Sequence, residues 1–320
     1  MYLRRIGNII RSRFSYLLSL AGIYRFRHMP EFLSVEPADW CMLSCPECPV
    51  GRRGQKSTND RGLLGEELMR KILDECADYL HTIQFFFQGE PLLNRQLPLF
   101  IAMAKQKHIY TIVSTNALLV TPEYARALIG SGVDRLIVSI DGFSRQSYSE
   151  YRVGGSFRKA LAGLRLLAEA KHQLKAKTKI EWQCLMLKSN QHEWQLIRDN
   201  YKRLGADCLT LKTAQFYEFA HGNPLMPDNE RYSRYKQLAD GRFVRKKPYR
   251  NHCLRLWSGA VVDVKGNLLP CCFDKTADYA FGNICNESIA GVWHSDKAET
   301  FRRRLMLNRR EIDICLNCTE

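Results

Sequence analysis

Between residues 33 and 213 the chain repeats one pattern, a short β-rich run followed by a longer stretch of helical spacing. The strand-like runs are Leu33–Glu36, Thr82–Phe87, Tyr110–Ser114, Arg135–Ile140, Lys179–Leu187 and Cys208–Lys212. Helical stretches lie between them, among them Glu66–Tyr79 and Phe157–His172. In the second of these, Ala160, Leu161, Leu164, Leu167 and Ala168 recur at helical intervals. Strands joined by helical crossovers run parallel, with right-handed connections. An open doubly wound sheet and a barrel both satisfy that rule. The last two strands favour the barrel. Glu181 and Gln183 alternate with Trp182 and Cys184, and Thr210 and Lys212 alternate with Leu209 and Leu211. One polar face and one helix-covered face suit a barrel whose interior is a reaction chamber. The expectation is an α/β fold, a partial (β/α)6 TIM-like barrel of parallel strands.

The polar residues fall in phase with those strands. Gln88-Gly89-Glu90-Pro91 follows the second, Ser114-Thr115-Asn116 ends the third, and Ser139-Ile140-Asp141-Gly142 ends the fourth. Carboxyl ends of strands are where α/β folds build their sites. A cysteine triad, Cys41, Cys45 and Cys48, follows the first strand at the same level.

The chain has twelve cysteines. They cluster as Cys41/Cys45/Cys48 and Cys315/Cys318, with Cys253 and Cys271 apart, a short local spacing that fits metal chelation better than cross-linking. The expected compartment is therefore the reducing cytosol. Structural zinc sites want four protein ligands, and ferredoxin runs use other spacings. Three thiolates on a cubane leave one iron open to a cofactor or substrate. Past residue 213 the pattern breaks. We divide the chain into a basic amino-terminal segment (1–30), the barrel core (31–213), a connector (214–250) and a compact, metal-stapled unit (251–320).

On these residues the chain resembles the radical S-adenosylmethionine (SAM) superfamily over roughly 33–213, and the SPASM/twitch extension beyond. The resemblance implies that Cys41, Cys45 and Cys48 hold a [4Fe–4S] cluster that binds and cleaves SAM, giving a 5′-deoxyadenosyl radical. It implies SAM contacts from Gly89, Glu90, Ser114, Asn116, Ser139 and Asp141, with Arg152 pairing the SAM carboxylate. Two departures stand out. Gln88 replaces a usual glycine, and Glu47 occupies a position that is often aromatic, which puts adenine stacking there in doubt. Cys253, Gly266 before Cys271, and Cys315-Leu-Asn-Cys318 resemble a SPASM/twitch-like domain. Two residues follow Cys318, so the expectation is one auxiliary [4Fe–4S] cluster held by Cys253, Cys271, Cys315 and Cys318. Cys272 and Cys285 are expected to be packing thiols.

An auxiliary cluster beside a radical chamber favours net oxidation, as in twitch-bearing relatives that oxidise sugar or cyclitol alcohols. Lys212, Glu181 and His221 are the candidate proton acceptors. The competing reading is a maturase acting on a ribosomally made peptide. A third is a non-catalytic iron–sulfur or nucleic-acid-binding protein, motivated by the net charge of +15 and by Arg52 and Arg53 near the triad. The substrate is expected to be a small molecule or peptide, with the charge favouring an anion, and the reductant a flavodoxin or ferredoxin. Nucleic acid is not an expected partner, because a mere binder has no use for the strand-end set. Arg4, Arg5, Arg11 and Arg13 precede the short apolar stretch Phe14–Ile23, and Arg25, Arg27 and His28 follow it. This segment reads either as a helix closing one end of the barrel or as a basic amphipathic helix on the inner face of a membrane.

Overall fold

The computed structural model describes residues 2–24, 28–54 and 61–319; Arg25 and Arg27 lie outside them. Six strands follow one another in sequence order: β1 (Phe32–Val35), β2 (Thr82–Phe85), β3 (Tyr110–Thr115), β4 (Arg135–Ser139), β5 (Lys179–Met186) and β6 (Cys208–Thr213). All neighbouring pairs among them are parallel. The strands read from the sequence are all present, shifted only at their ends.

Helix α1 (Tyr2–Leu20) precedes the sheet, and the one-turn α2 (Pro49–Arg52) follows the cysteine triad. The crossovers carry α3 (Glu66–Cys76), α4 (Leu97–Gln106), α5 (Pro122–Gly130), α6 (Arg145–Tyr151), α7 (Phe157–Gln173) and α8 (Trp194–Asn200). Side-chain caps set several of their starts. Thr121 accepts from the Tyr124 amide, Ser156 from the Lys159 amide, and Ser144 forms a reciprocal box with Ser147. α7 then buries Ala160, Leu164, Leu167 and Ala170 against the sheet.

The alternation of strand residues divides the two faces. Val113, Leu136, Val138, Ile180, Trp182, Cys184 and Met186 join the helices in the main core. Ser114, Ile137, Ser139, Glu181, Gln183 and Leu185 alternate with them and turn to the barrel interior.

The connector contributes a hairpin, β7 (Tyr235–Gln237) with β8 (Phe243–Arg245). Beyond it come α9 (Arg255–Ser258), β9 (Gly259–Val262), β10 (Asn267–Leu269), β11 (Gly282–Asn283), α10 (Ile289–Trp293) and α11 (Asp296–Asn308). β9 pairs parallel with β1, and β10 and β11 add antiparallel strands, so the sheet has nine. The C-terminal unit is thus built onto the barrel edge, with Leu33 and Trp293 in one continuous core.

α1 closes the amino-terminal end of the barrel. Arg5 donates to the carbonyls of Ala77, Lys107 and His108, which lead into β2 and β3. Asn8 donates to Met29 O before β1, and Ser12 to Trp257 O before β9. The end-closing reading of this segment describes its position.

Candidate functional site

The cysteine triad sits on the loop leaving β1, drawn tightly onto the carboxyl ends of the strands. Gly89 makes this approach feasible. A Cβ at Gly89 would collide with the carbonyl oxygens of Ala38 and Trp40, and the next amide, Glu90 N, donates to Trp40 O at 2.9 Å. Gly51 does the same from the other side, where a Cβ would strike the backbone of Cys45. Sequence reading missed Gly51, although a glycine just inside a one-turn helix was a visible signal. Ser44 N donates to Val153 O at 2.9 Å, and Cys48 N to Cys45 O at 3.1 Å. Burial pushes the Cys41 thiol up to about 12, with Glu90 adding to it, and the Cys45 thiol to about 11. These thiols stay protonated until a metal centre displaces the protons. Among the described residues, no three His, Cys, Asp or Glu side chains converge on a single ion position. A cubane does not need that convergence, since it takes thiolates at separate corners.

The strand-end residues divide into braces and open groups. Glu90 is a brace. Its buried carboxylate accepts from Thr115 Oγ1 at 2.6 Å, Leu92 N at 3.1 Å and Asn116 N at 2.9 Å. The side chain thus braces the motif whose backbone is expected to meet SAM. Asn116 Oδ1 accepts from Leu118 N, while its amide reaches Cys41 Sγ at 3.7 Å. Asp141 is likewise committed to protein. Oδ1 accepts from Leu185 N at 2.6 Å and Oδ2 from Arg152 Nε at 2.6 Å. Asp141, expected to meet the ribose, thus also forms an ion pair that orients Arg152. Burial opposes the Arg152 charge, but Asp141, Cys45 and Tyr151 together favour it, so the guanidinium pKa shifts upward. Ser114 and Ser139 are the open groups, on the interior face with no hydrogen-bond partner among the described residues.

Cys253, Cys271, Cys315 and Cys318 line one small cavity, walled otherwise by Leu256, Phe273, Phe301, Leu305 and Ile314, with Arg255 and Arg309. Arg245 holds the Cys318 carbonyl and stacks over Tyr249. Four thiols meeting in an apolar pocket suit a closed, all-thiolate cluster. The two spare cysteines behave differently from expectation. Cys285 is exposed rather than packed, and Cys272 lines the adjoining chamber.

That chamber, about 1040 Å3, is the largest feature of the site. Cys48, Glu47, Arg52 and Arg53 border it on the triad side; Cys272, Phe273, Ile314 and Asn317 border it on the other. Phe273 and Ile314 line both chamber and cysteine cavity, so they form the partition between them. Glu47, at the position where an aromatic ring is often found, is engaged with protein. Its carboxylate accepts from Tyr217 N at 2.8 Å and Asn223 Nδ2 at 3.1 Å, strapping the triad loop to the connector.

None of the three candidate bases lines this chamber. Glu181 lies near the amino end of β5, buried, and accepts from Arg135 Nε at 2.6 Å. There it is the counter-ion of Arg135. Lys212 is exposed near the end of β6, the edge strand, and His221 is exposed on the connector. The carboxylates that do face the chamber are Glu47 and Asp313. Sequence reading noted Glu47 only as a departure and missed Asp313, three residues before Leu316. The counter-ion role predicts that Arg135→Ala lowers stability by about 2–4 kcal/mol, since it strands a buried carboxylate beside a partner only partly exposed. Thermal unfolding measures it. Glu181→Gln should leave the rate of substrate turnover unchanged.

Two family models match the chain. The radical SAM superfamily model covers residues 35–178, and an iron–sulfur cluster-binding domain of the SPASM type covers 253–319. The AdoMet-dependent heme synthase of Methanosarcina barkeri is 28% identical over 178 residues, or 55% of this chain and 48% of that protein. The chain thus spans about half the length of the heme synthases it matches. The S-adenosyl-L-methionine-dependent 2-deoxy-scyllo-inosamine dehydrogenase of Niallia circulans is 25% identical over 295 residues, 89% of this chain and 91% of that one. The PqqA peptide cyclase of Granulibacter bethesdensis is 25% identical over 287 residues, 82% and 74% of the two chains. The crystal structure of BtrN in complex with AdoMet and 2-DOIA shares the fold, with a TM-score of 0.56 and 22% identity, covering 92% of this chain and 94% of that one. With the triad loop, the parallel barrel and the thiol-lined C-terminal cavity in place, the chain belongs to the radical SAM superfamily, as a member with a SPASM-type C-terminal domain.

Proposed function

We propose that this radical SAM enzyme oxidises a hydroxyl-bearing, anionic small molecule by two electrons. In this reading Cys41, Cys45 and Cys48 hold the SAM-cleaving cluster. Ser114, Ser139 and Arg152 meet SAM, and Cys253, Cys271, Cys315 and Cys318 hold one auxiliary cluster. When bound, these groups supply a 5′-deoxyadenosyl radical that removes a hydrogen atom from the carbinol C–H, and a site that accepts the electron released as the hydroxyl proton leaves.

One observation carries the reading. A single chamber is bordered by the triad loop on one side and by residues flanking the distal cysteines on the other. Arg52, Arg53 and Lys275 give its wall a positive character that suits an anion. Phe87, Tyr217, Phe219, Tyr249 and Phe273 keep that wall largely apolar, which disfavours water beside the reacting carbon. Of the two carboxylates lining the chamber, Glu47 is tied through both oxygens to Tyr217 and Asn223, which leaves Asp313 as the candidate to take the hydroxyl proton. Phe273 and Ile314 line both the chamber and the cavity of the auxiliary thiols. The near full-length similarity to the Niallia circulans dehydrogenase supports the same reading. Modification of a peptide is the second reading. A chamber of about 1040 Å3 is roomy for a lone cyclitol, and the PqqA peptide cyclase is among the relatives.

A flavodoxin or ferredoxin is the proposed reductant. A peripheral membrane contact would stand on α1 alone and leaves the reaction unaltered.

Carbon-deuterated alcohols and peptides decide between the readings. Anaerobic protein given SAM and reductant is expected to move deuterium into 5′-deoxyadenosine from an anionic polyol, with a carbonyl product. Transfer from a labelled peptide and from no polyol would overturn it. Cys315→Ser is expected to uncouple the two halves: 5′-deoxyadenosine still forms, while the carbonyl product, followed by chromatography, is lost.

A further inference from the structure

α1 is amphipathic, yet it is mounted with its polar face inward. Its buried residues are Arg5, Asn8, Ser12, Ser15 and Ser19. Leu3 is 82% exposed, Ile10 62%, Phe14 61% and Leu17 59%, with Ile6 and Leu20 also in solvent. Intervals of three and four place these six on one stripe along the helix. A helix packed on a core ordinarily buries such a stripe.

Hydrogen bonds fix the inverted mounting. Arg5 bonds the approaches to β2 and β3, and Asn8 both donates to Met29 O and accepts from Met29 N. Ser12 donates to Trp257 O, Ser15 pairs with His28, and Tyr16 with His252. The helix cannot roll to hide its apolar stripe without stranding this set.

Charge indicates what the stripe meets. Tyr2–Leu20 contains no Asp or Glu. The charges beside the stripe are Arg4 and Arg11, both exposed; Arg4 engages Asp78, and Arg11 has no partner among the described residues. An apolar ridge with basic flanks matches an anionic bilayer surface, where acyl chains receive the stripe and phosphates the arginines. A convex ridge also lacks the groove a peptide ligand would need. No helix among the described residues is long and apolar enough to cross a membrane.

We propose that α1 docks the protein on an anionic phospholipid surface, lying in the interface plane with Leu3, Ile6, Ile10, Phe14, Leu17 and Leu20 inserted. The docking end is the amino-terminal end of the parallel strands, and the triad loop lies at the carboxyl ends. A docked molecule therefore turns its chamber away from the bilayer and takes its substrate from water. This proposal does not depend on the alcohol-oxidation reading.

Co-sedimentation of the full chain with phospholipid vesicles tests it. Binding to mixed phosphatidylglycerol–phosphatidylcholine vesicles is expected to be roughly tenfold tighter than to phosphatidylcholine alone, and to weaken with salt. The double variant Ile10→Glu/Phe14→Glu is expected to lose binding while keeping wild-type iron content and 5′-deoxyadenosine formation, which shows that it folds. Equal binding by wild type and double variant would overturn the proposal. So would a wild-type dimer in sedimentation velocity that the double variant converts to monomer, because a second copy would then be the occupant.

Discussion

Replacing Cys45 with alanine is expected to abolish 5′-deoxyadenosine formation and to remove about four of about eight irons per chain. Cys45 is 6% exposed and lies at the centre of the loop. Its carbonyl receives the Cys48 amide, and its backbone is the surface on which Gly51 packs α2. Losing one of three thiolates would leave a cubane with two protein ligands and a second uncovered iron. The distal four cysteines lie in a separate cavity, so their irons should remain. That residue of about four irons shows that the variant still folds. Cys41→Ala and Cys48→Ala should behave alike, with iron assay and chromatography as readouts.

Arg152→Gln is expected to damage both stability and SAM binding. The Asp141 side chain is 1% exposed and Arg152 17%, and they meet at 2.6 Å. Asp141 also holds the Leu185 amide and thereby ties the end of β4 to β5. Removing the cation leaves a buried carboxylate without a counter-charge, a loss of about 3–5 kcal/mol. Thermal unfolding should report it. Adding Asp141→Asn should return much of the stability, since the uncompensated charge is gone, without returning SAM affinity. Arg152→Lys should retain charge and stability better than SAM affinity, because an ammonium cannot present two parallel donors to a carboxylate. Isothermal titration with SAM separates the two effects.

The parallel order of β1 to β6 and the common level of the triad, Gly89, Asn116 and Ser139 were legible because both follow from local periodicity. Partnership across the fold was not. Glu181 and Asp141 look alike in sequence, one on a strand and one at a strand end. Only the register of β4 with β5 brings Arg135 to the first, and only the turn after α6 brings Arg152 to the second. The pairing of β9 with β1 was hidden for the same reason, since it joins residues more than two hundred positions apart. The face that α1 presents was hidden for another. Amphipathicity reveals two faces but not which one packs, and here the strand approaches offer carbonyls that polar side chains satisfy. The chamber carboxylates Glu47 and Asp313 carry no pattern of their own. They matter because the connector and the C-terminal unit fold over the triad loop.

The proposed chemistry needs two clusters facing one chamber, one starting the reaction and the other receiving its electron. Iron, sulfide and zinc analysis of anaerobically reconstituted protein tests this most directly. About eight irons and as many sulfides per chain, with no zinc, are expected. About four irons with one zinc would contradict that expectation, leaving the distal cysteines a structural metal site with no place for the electron.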